Sequence, residues 1–197
     1  MALYDDWGKG KIDENHPDLS WIEDHEVYPK TPVYRNQYNH FAQVAKRLGL
    51  NVRSYLSLGT GLGRHIVICK ESFPEVNSVV SVDSKIHPHK SLSQLELNKH
   101  SHHKSTVKHA LRALENQKSK FDLVIFENIG HKHEISSFEE IQLLQKLLNP
   151  NSLLAFIGDT KFETTLLLGT DNFIRIPNLT EEYGDTTTHN LWQFKRV

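Results

Sequence analysis

The sequence has few of the features that mark secreted, membrane or nucleic-acid-binding proteins. Among its 197 residues Cys69 is the single cysteine, so no internal disulfide can form, which fits a reducing, cytoplasmic location. No apolar run approaches the roughly 18 residues needed to span a membrane. Residues 1–19 lack a basic start followed by an apolar core, so no secretory signal is expected. A formal net charge of −1 argues against a dedicated nucleic-acid partner.

Length and composition favour one globular domain. Residues 35–197 form this domain, and residues 1–34 form an irregular N-terminal segment with scattered prolines and aromatic residues. This segment could cover a site as a lid, or its aromatic side chains could pack as a hydrophobic edge. The sequence leaves the oligomeric state open and is compatible with a homodimer. The aromatic residues concerned are Trp7, Trp21, Tyr28, Tyr34 and Tyr38.

Strand-like and helix-like segments alternate along the chain, which indicates a mostly parallel sheet with helices on both faces. Ser136 and Glu139 have capping-box spacing before one predicted helix. Gly49 is expected to end another. The predicted strands are 52–58, 76–83, 121–128, 152–159, 172–177 and 189–197, and the predicted helices are 35–50, 64–73 and 135–148. In between, we expect a short helix near 91–100 and a brief strand over 105–111.

The glycine-rich stretch SYLSLGTGLGRHIVI, residues 54–68, lies between a predicted strand and a predicted helix. Glycines there let backbone approach a nucleotide, and the helix N-terminus offers free N–H groups. Asp83 ends the next strand 24 residues after Gly59, where an acid can accept hydrogen bonds from ribose hydroxyls. A dinucleotide loop needs a small residue where Arg64 stands, with Gly63 one position earlier. The spacing therefore disfavours a dinucleotide.

These motifs together resemble those of the class I S-adenosylmethionine-dependent methyltransferases. YLSLGTGLG is similar to their first motif, and SVVSVD and FDLVIFEN to their second and fourth strands. NFIRIP and HNLWQFKRV match their final strand pair. The resemblance implies a Rossmann-like α/β fold: a mostly parallel seven-stranded sheet, an antiparallel last strand, and helices on both faces. The cofactor that it implies is S-adenosylmethionine.

The resemblance also implies which residues bind this cofactor. Ser57 and the Asn149–Asn151 segment depart from the family, which often has an acid and Pro-Gly-Gly at these places. These departures motivate an alternative, a non-catalytic nucleotide-binding protein with the same fold. A nicotinamide-dependent oxidoreductase is a further alternative. The implied cofactor-binding residues are Leu58, Gly59, Thr60, Gly61, Gly63, Asp83, Ser84, His109 and Glu127.

A second group of polar residues follows the fourth and fifth predicted strands. Glu127, His131 and His133 follow one strand and Asp159 follows its neighbour, so all should meet the glycine loop at one edge of the sheet. The arrangement is similar to small-molecule O-methyltransferases, which implies Glu127 and His131 as catalytic residues for an oxygen acceptor. Glu127 and Asp159 could hold Mg²⁺. Alternatively, both acids are simply polar strand ends that cap helices.

Histidine is the most over-represented residue type in the middle of the chain. Eight of the 13 histidines lie between His87 and His133. We interpret them as polar loop residues, with a metal site as the alternative. The histidine groups HPH at 87–89 and HSHH at 100–103 lack acids or cysteines at ligand spacing.

Overall fold

A computed structural model describes residues 18–23, 31–127, 137–157, 167, 170–176 and 189–195. Within these residues, four α-helices and seven strands follow one another in the order expected of an α/β protein. The helices are α1 (Thr31–Arg47), α2 (Arg64–Ser72), α3 (Val107–Asn116) and α4 (Phe138–Leu147). The strands are β1 (Ser54–Leu58), β2 (Ser78–Asp83), β3 (Lys99–Lys104), β4 (Phe121–Glu127), β5 (Leu148–Ile157), β6 (Phe173–Ile176) and β7 (His189–Phe194). Two short 3₁₀ helices cover Ser20–Glu23 and Lys90–Gln94.

All seven strands form one sheet in the order β3-β2-β1-β4-β5-β7-β6. The five strands from β3 to β5 pair in parallel, whereas β7 lies between β5 and β6 and pairs antiparallel with both. The Rossmann-like α/β fold with an antiparallel last strand is therefore confirmed. In this topology the carboxyl ends of β1, β2 and β4 face the same edge of the sheet.

Alternation of side chains along each strand divides the core into two layers. Tyr55, Leu123 and Ile125 belong to a cluster that includes buried residues of α1 and α2. Leu56 and Leu58 belong to a second cluster, with α3 and α4 on the opposite face. Because both faces are covered, β1 and β4 are apolar along most of their length, as expected for buried parallel strands.

The 3₁₀ helix Ser20–Glu23 and helix α1 join the core through their aromatic side chains. The side chains of Trp21 and Tyr34 are 3% exposed and that of Tyr38 is 0% exposed. These three side chains pack in the hydrophobic core, as the hydrophobic-edge interpretation expects. Trp7 and Tyr28 lie outside the described residues. The division of the chain at residue 34 stays a prediction, although α1 itself begins at Thr31.

Gly49 has a φ of +68° and follows α1 closely, as predicted for a helix-ending glycine. The capping box of α4 was predicted one residue too early. Ser137 and Glu140 form it, whereas Glu139 is exposed and pairs with Arg112. Adjacent serines and adjacent glutamates offer the same spacing twice, and sequence alone does not choose between the two registers.

Residues 84–111 depart most from the prediction. The helix expected near 91–100 is a 3₁₀ helix over Lys90–Gln94, and the chain then forms β3. The strand expected over 105–111 is wrong, because α3 begins at Val107 with Thr106 as its N-cap. Strand β3 has the sequence KHSHHK, and it was missed because an edge strand with partly exposed faces needs no apolar pattern. Several histidines interpreted as loop residues therefore lie in a strand.

Candidate functional site

The glycine loop connects β1 to α2 and is fixed to the end of β2. The backbone N–H groups of Gly59 and Thr60 donate to the carbonyl oxygen of Val82 at 2.8 and 3.1 Å. The N–H of Gly61 donates to Oδ2 of Asp83 at 2.9 Å, while Oδ1 accepts from the N–H groups of Lys85 and Ile86. The predicted convergence of the glycine loop and Asp83 at one edge is thus present in the structure.

Two glycines of this loop meet different demands. Gly63 has a φ of +97°, and a Cβ added there would lie 2.3 Å from Cδ1 of Leu92. The positive φ favours glycine, and any larger side chain would also force Leu92 to move. Gly61 also has a positive φ, +54°, but no atom of the described residues lies within 4 Å of an added Cβ. Its outer surface is open to a ligand.

Other predicted cofactor residues occupy contrasting positions around the loop. Leu58 is buried in the core, and the hydroxyl of Thr60 is engaged with Ser57 and with the backbone of Val82. Only the backbone of these two residues can face a ligand. Ser84 and His109 are exposed, at the end of β2 and in the first turn of α3. Their role in cofactor binding stays a prediction.

Glu127, the last residue of β4, is the most unusual group at this edge. Its side chain is 2% exposed, and its Oε1 accepts hydrogen bonds from the hydroxyls of Tyr55, Ser57 (3.0 Å) and Tyr38 (3.2 Å). Its Oε2 is buried without a hydrogen-bond partner among the residues that the structure describes. The carboxyl group therefore has one oxygen engaged by three hydroxyls and one buried oxygen without a partner among the described residues.

The environment of Glu127 favours the protonated form. Burial raises its pKa to about 8, and the hydrogen bonds from Tyr55, Ser57 and Tyr38 oppose this rise only in part. Arg64, in the first turn of α2, also favours the ionised form. The site thus holds a carboxyl group that a nearby cation would convert to a carboxylate.

Arg64 and His65 begin α2 beside this carboxyl group. The Arg64 guanidinium carbon lies 4.5 Å from the centre of the Tyr34 ring, and its side chain is 5% exposed. The His65 ring lies 4.6 Å from that of Tyr34, and burial lowers its pKa well below the usual value. The bulky residue that disfavours a dinucleotide in the sequence is therefore buried against Tyr34 of α1.

The expected magnesium site does not fit the surroundings of Glu127. Mg²⁺ binds carboxylates that leave room for several waters, whereas this carboxyl group is buried and its Oε1 is already engaged by three hydroxyls. Among the described residues no group of three metal-ligating side chains is arranged to hold an ion. Asp159, His131 and His133 lie outside the described residues. We therefore derive no step through a metal ion.

Sequence reasoning missed the hydroxyl groups that surround Glu127. Tyr38 was predicted to belong to a lid or to a hydrophobic edge, and Tyr55 was included only as a residue of a predicted strand. One signal was available: Tyr55 and Ser57 alternate along β1 and must share a face. The register of β4 then brings Glu127 to that face, since Phe126 pairs with Leu58.

No protein-family model and no curated protein sequence matches this chain. Among solved structures, a protein from Streptococcus mutans assigned as a SAM-dependent methyltransferase aligns with a TM-score of 0.58 at 14% identity, over 83% of this chain. The alignment spans 48% of that protein, about half of its length. The plantazolicin methyltransferase BpumL, in complex with SAH, aligns at 0.57 and 11% identity, over 90% of this chain and 93% of its own.

The N-methyltransferase NodS from Bradyrhizobium japonicum WM9 is also similar, with a TM-score of 0.57 and 10% identity, over 85% of this chain and 99% of its own. At such identities the likeness establishes the fold. This chain has the fold of the class I S-adenosylmethionine-dependent methyltransferases, as its motifs imply. None of the helices in the described part of the chain is long and apolar enough to cross a membrane.

Proposed function

We propose that the chain binds S-adenosylmethionine at the glycine loop and transfers its methyl group to an oxygen atom of a small molecule. The proposal rests above all on the free carboxyl oxygen of Glu127. Ser57 stands where the family often carries an acid, and Glu127 reaches that place from the neighbouring strand, 3.0 Å from the Ser57 hydroxyl. A carboxyl group is therefore supplied to the loop, although by β4 instead of β1.

The available Glu127 oxygen suits the ammonium group of the cofactor's methionine portion. An α-ammonium group is a hydrogen-bond donor at neutral pH, and Oε2 of Glu127 is a buried acceptor without a partner among the described residues. Its approach would lower the pKa of Glu127 from about 8 and release a proton. The hydroxyls of Tyr38, Tyr55 and Ser57 would hold the resulting carboxylate in place through Oε1.

The adenosine portion would lie toward the end of β2. No described atom lies within 4 Å of a Cβ built at Gly61, so a ligand has room beside this backbone. The Gly61 N–H already holds Asp83 at the loop. Its carboxylate would accept hydrogen bonds from ribose hydroxyls. Ser84 and His109 would flank the base from the exposed side of this edge.

Bound S-adenosylmethionine would supply a methyl group activated by the sulfonium. The protein must align the acceptor oxygen with that group and remove its proton. We assign the proton acceptor to His131, which follows β4 in the sequence. Glu127 is a binding residue in this proposal and not the base, because its one available oxygen is committed to the cofactor.

Calorimetric titration of the full chain with S-adenosylhomocysteine and with 5′-methylthioadenosine tests the proposal. The second compound keeps the adenosine and lacks the amino-acid portion. Glu127→Gln should weaken the first compound by about 10- to 100-fold, the range for a hydrogen bond to a charged group. Its effect on 5′-methylthioadenosine should be small. Asp83→Asn should weaken both compounds, because both carry the ribose.

Glu96→Gln is the matched control, since Glu96 is an exposed glutamate that does not belong to the loop. Wild-type binding at neutral pH should also release close to one proton, seen when the titration is repeated in buffers of different ionisation enthalpy. Equal loss of both compounds in Glu127→Gln would contradict the role of Glu127. Absence of binding by either compound, or tighter binding of NADH, would contradict the proposed function. Tight binding without turnover on phenols, sugars and carboxylates would favour a non-catalytic nucleotide-binding protein.

A further inference from the structure

A cavity lies against the 3₁₀ helix Lys90–Gln94 and the edge strand β3. Its volume is about 440 Å³, within the range of pockets that hold small organic ligands. Apolar side chains form part of its lining: Pro88, Leu92, Leu95 and Leu97. The polar lining consists of His87, His89, Lys90, Ser93, His100 and His102.

Ser81 joins two of the imidazoles at the floor of this region. Its Oγ lies 3.0 Å from Nε2 of His100 and 3.0 Å from Nδ1 of His102. A serine hydroxyl has a single proton, so at least one imidazole must donate to Ser81. The His87 ring lies 5.0 Å from that of His102. Two imidazoles therefore contact the Ser81 hydroxyl, and a third lies against one of them.

His102 has a nitrogen that this arrangement does not satisfy. Its Nε2 is buried and has no hydrogen-bond partner within the described part of the chain. Leaving a buried polar atom unpaired costs about 1–3 kcal/mol, so a ligand atom that pairs with it gains affinity. The second nitrogen is already committed to Ser81, which fixes the ring.

The polar lining is composed of donors and potential cations, and no carboxylate lines the cavity among the residues described. Imidazoles and an ammonium group attract negative charge, while the leucines and the proline accept an apolar body. We propose that this cavity binds a small molecule with a carboxylate head and an apolar body, at a site separate from the glycine loop.

The position of the cavity supports its separation from the loop. His100 pairs with Val79 and His102 with Ser81, four and two residues before β2 ends at Asp83. At about 3.3 Å per residue, the imidazoles lie roughly 7 to 13 Å below the edge of the sheet. One residue nevertheless contacts both regions, because Leu92 lines the cavity and also lies against Gly63.

A carboxylate explains the lining better than a metal ion does. No described group of three ligating side chains has the arrangement of a metal site, and Ser81 already occupies the point between His100 and His102. A carboxylate oxygen can accept from His102 Nε2–H without displacing Ser81. The metal alternative is tested directly below.

Binding of an anion should become stronger as the pH falls. Burial lowers the pKa of His102, and an anion beside it would raise that pKa again, so binding takes up a proton. The surrounding charges act in both directions: His87, His100 and His103 lower this pKa, and Asp83 raises it. Lys90 adds a positive charge to the lining.

The test is calorimetric titration of the full chain with octanoate and with the neutral octanamide. Octanoate should bind at least about 10-fold more tightly than octanamide, and more tightly at pH 6 than at pH 8. His102→Asn keeps an amide nitrogen near Ser81 and removes Nε2, so it should weaken octanoate by about 10-fold. His103→Asn is the matched control, because His103 is the next residue of β3 and does not line the cavity.

Equal affinity for octanoate and octanamide, or equal losses in His102→Asn and His103→Asn, would overturn the proposal. The proposal would also be overturned if Zn²⁺ displaced octanoate and bound tightly, and if His102→Asn abolished this zinc binding. Glu127→Gln should leave octanoate binding unchanged. Failure at this cavity is thus distinguishable from failure of cofactor binding at the glycine loop.

Discussion

Replacing Glu127 by glutamine should remove a large dependence of folding stability on pH. The pKa of Glu127 is raised by burial from its usual 4.5 to about 8. Between these values the folded chain keeps a proton that the unfolded chain has released. The unfolding free energy therefore falls as the pH rises through this interval and levels off above about pH 8. Glutamine resembles the protonated acid and does not titrate, so the variant lacks this fall in the unfolding free energy.

The size of the effect follows from the pKa shift. One proton bound only by the folded state changes the unfolding free energy by about 1.4 kcal/mol per pH unit. Between about pH 5.5 and about pH 7.5, the wild type should lose roughly 3 kcal/mol relative to Glu127→Gln. Comparison with the variant cancels other titrations, such as that of His65, whose lowered pKa acts in the opposite direction.

Urea unfolding monitored by tryptophan fluorescence provides the assay, because Trp21 and Trp192 are buried and become exposed on unfolding. The free energies of both proteins are measured at several pH values and subtracted. Glu96→Gln, at an exposed position, should give a curve parallel to that of the wild type. A constant difference between wild type and Glu127→Gln across this pH range would refute the raised pKa. The proton release proposed for cofactor binding would then lose its basis as well.

Two further substitutions test the local geometry by urea unfolding. Gly63→Ala should lower the unfolding free energy by about 2–4 kcal/mol, because it combines a positive φ with a 2.3 Å approach to Leu92. Gly61→Ala should lower it by only about 1–2 kcal/mol, because only its φ is unfavourable. Equal losses would show that the contact with Leu92 is unimportant. Ser137→Ala should cost about 1 kcal/mol through loss of the capping box of α4, and a similar loss from Phe138→Ala, at an exposed neighbour, would argue against capping as the cause.

Much of the fold could be predicted because buried parallel strands carry their own signal. β4 and β5 are covered on both faces, and their apolar runs and flanking polar residues are visible in the sequence. β3 lies at an edge and pairs only with β2, so its side chains are under little pressure to be apolar. The same weak constraint allowed histidines to collect there, and composition alone could not distinguish a histidine-rich strand from a loop.

The candidate site could be predicted only where its residues are close in sequence or follow strands that are neighbours in the predicted sheet. The glycine loop and Asp83 meet this condition, since both follow adjacent parallel strands. The place of Glu127 at this edge was also predicted, but its hydrogen bonds with Tyr38, Tyr55 and Ser57 were not, because they depend on the pairing of β1 with β4. That register places Glu127 beside Ser57, so an acid missing from one strand is supplied by its neighbour. A departure from a motif is therefore weak grounds for inferring lost function until the residues opposite it in the sheet are known.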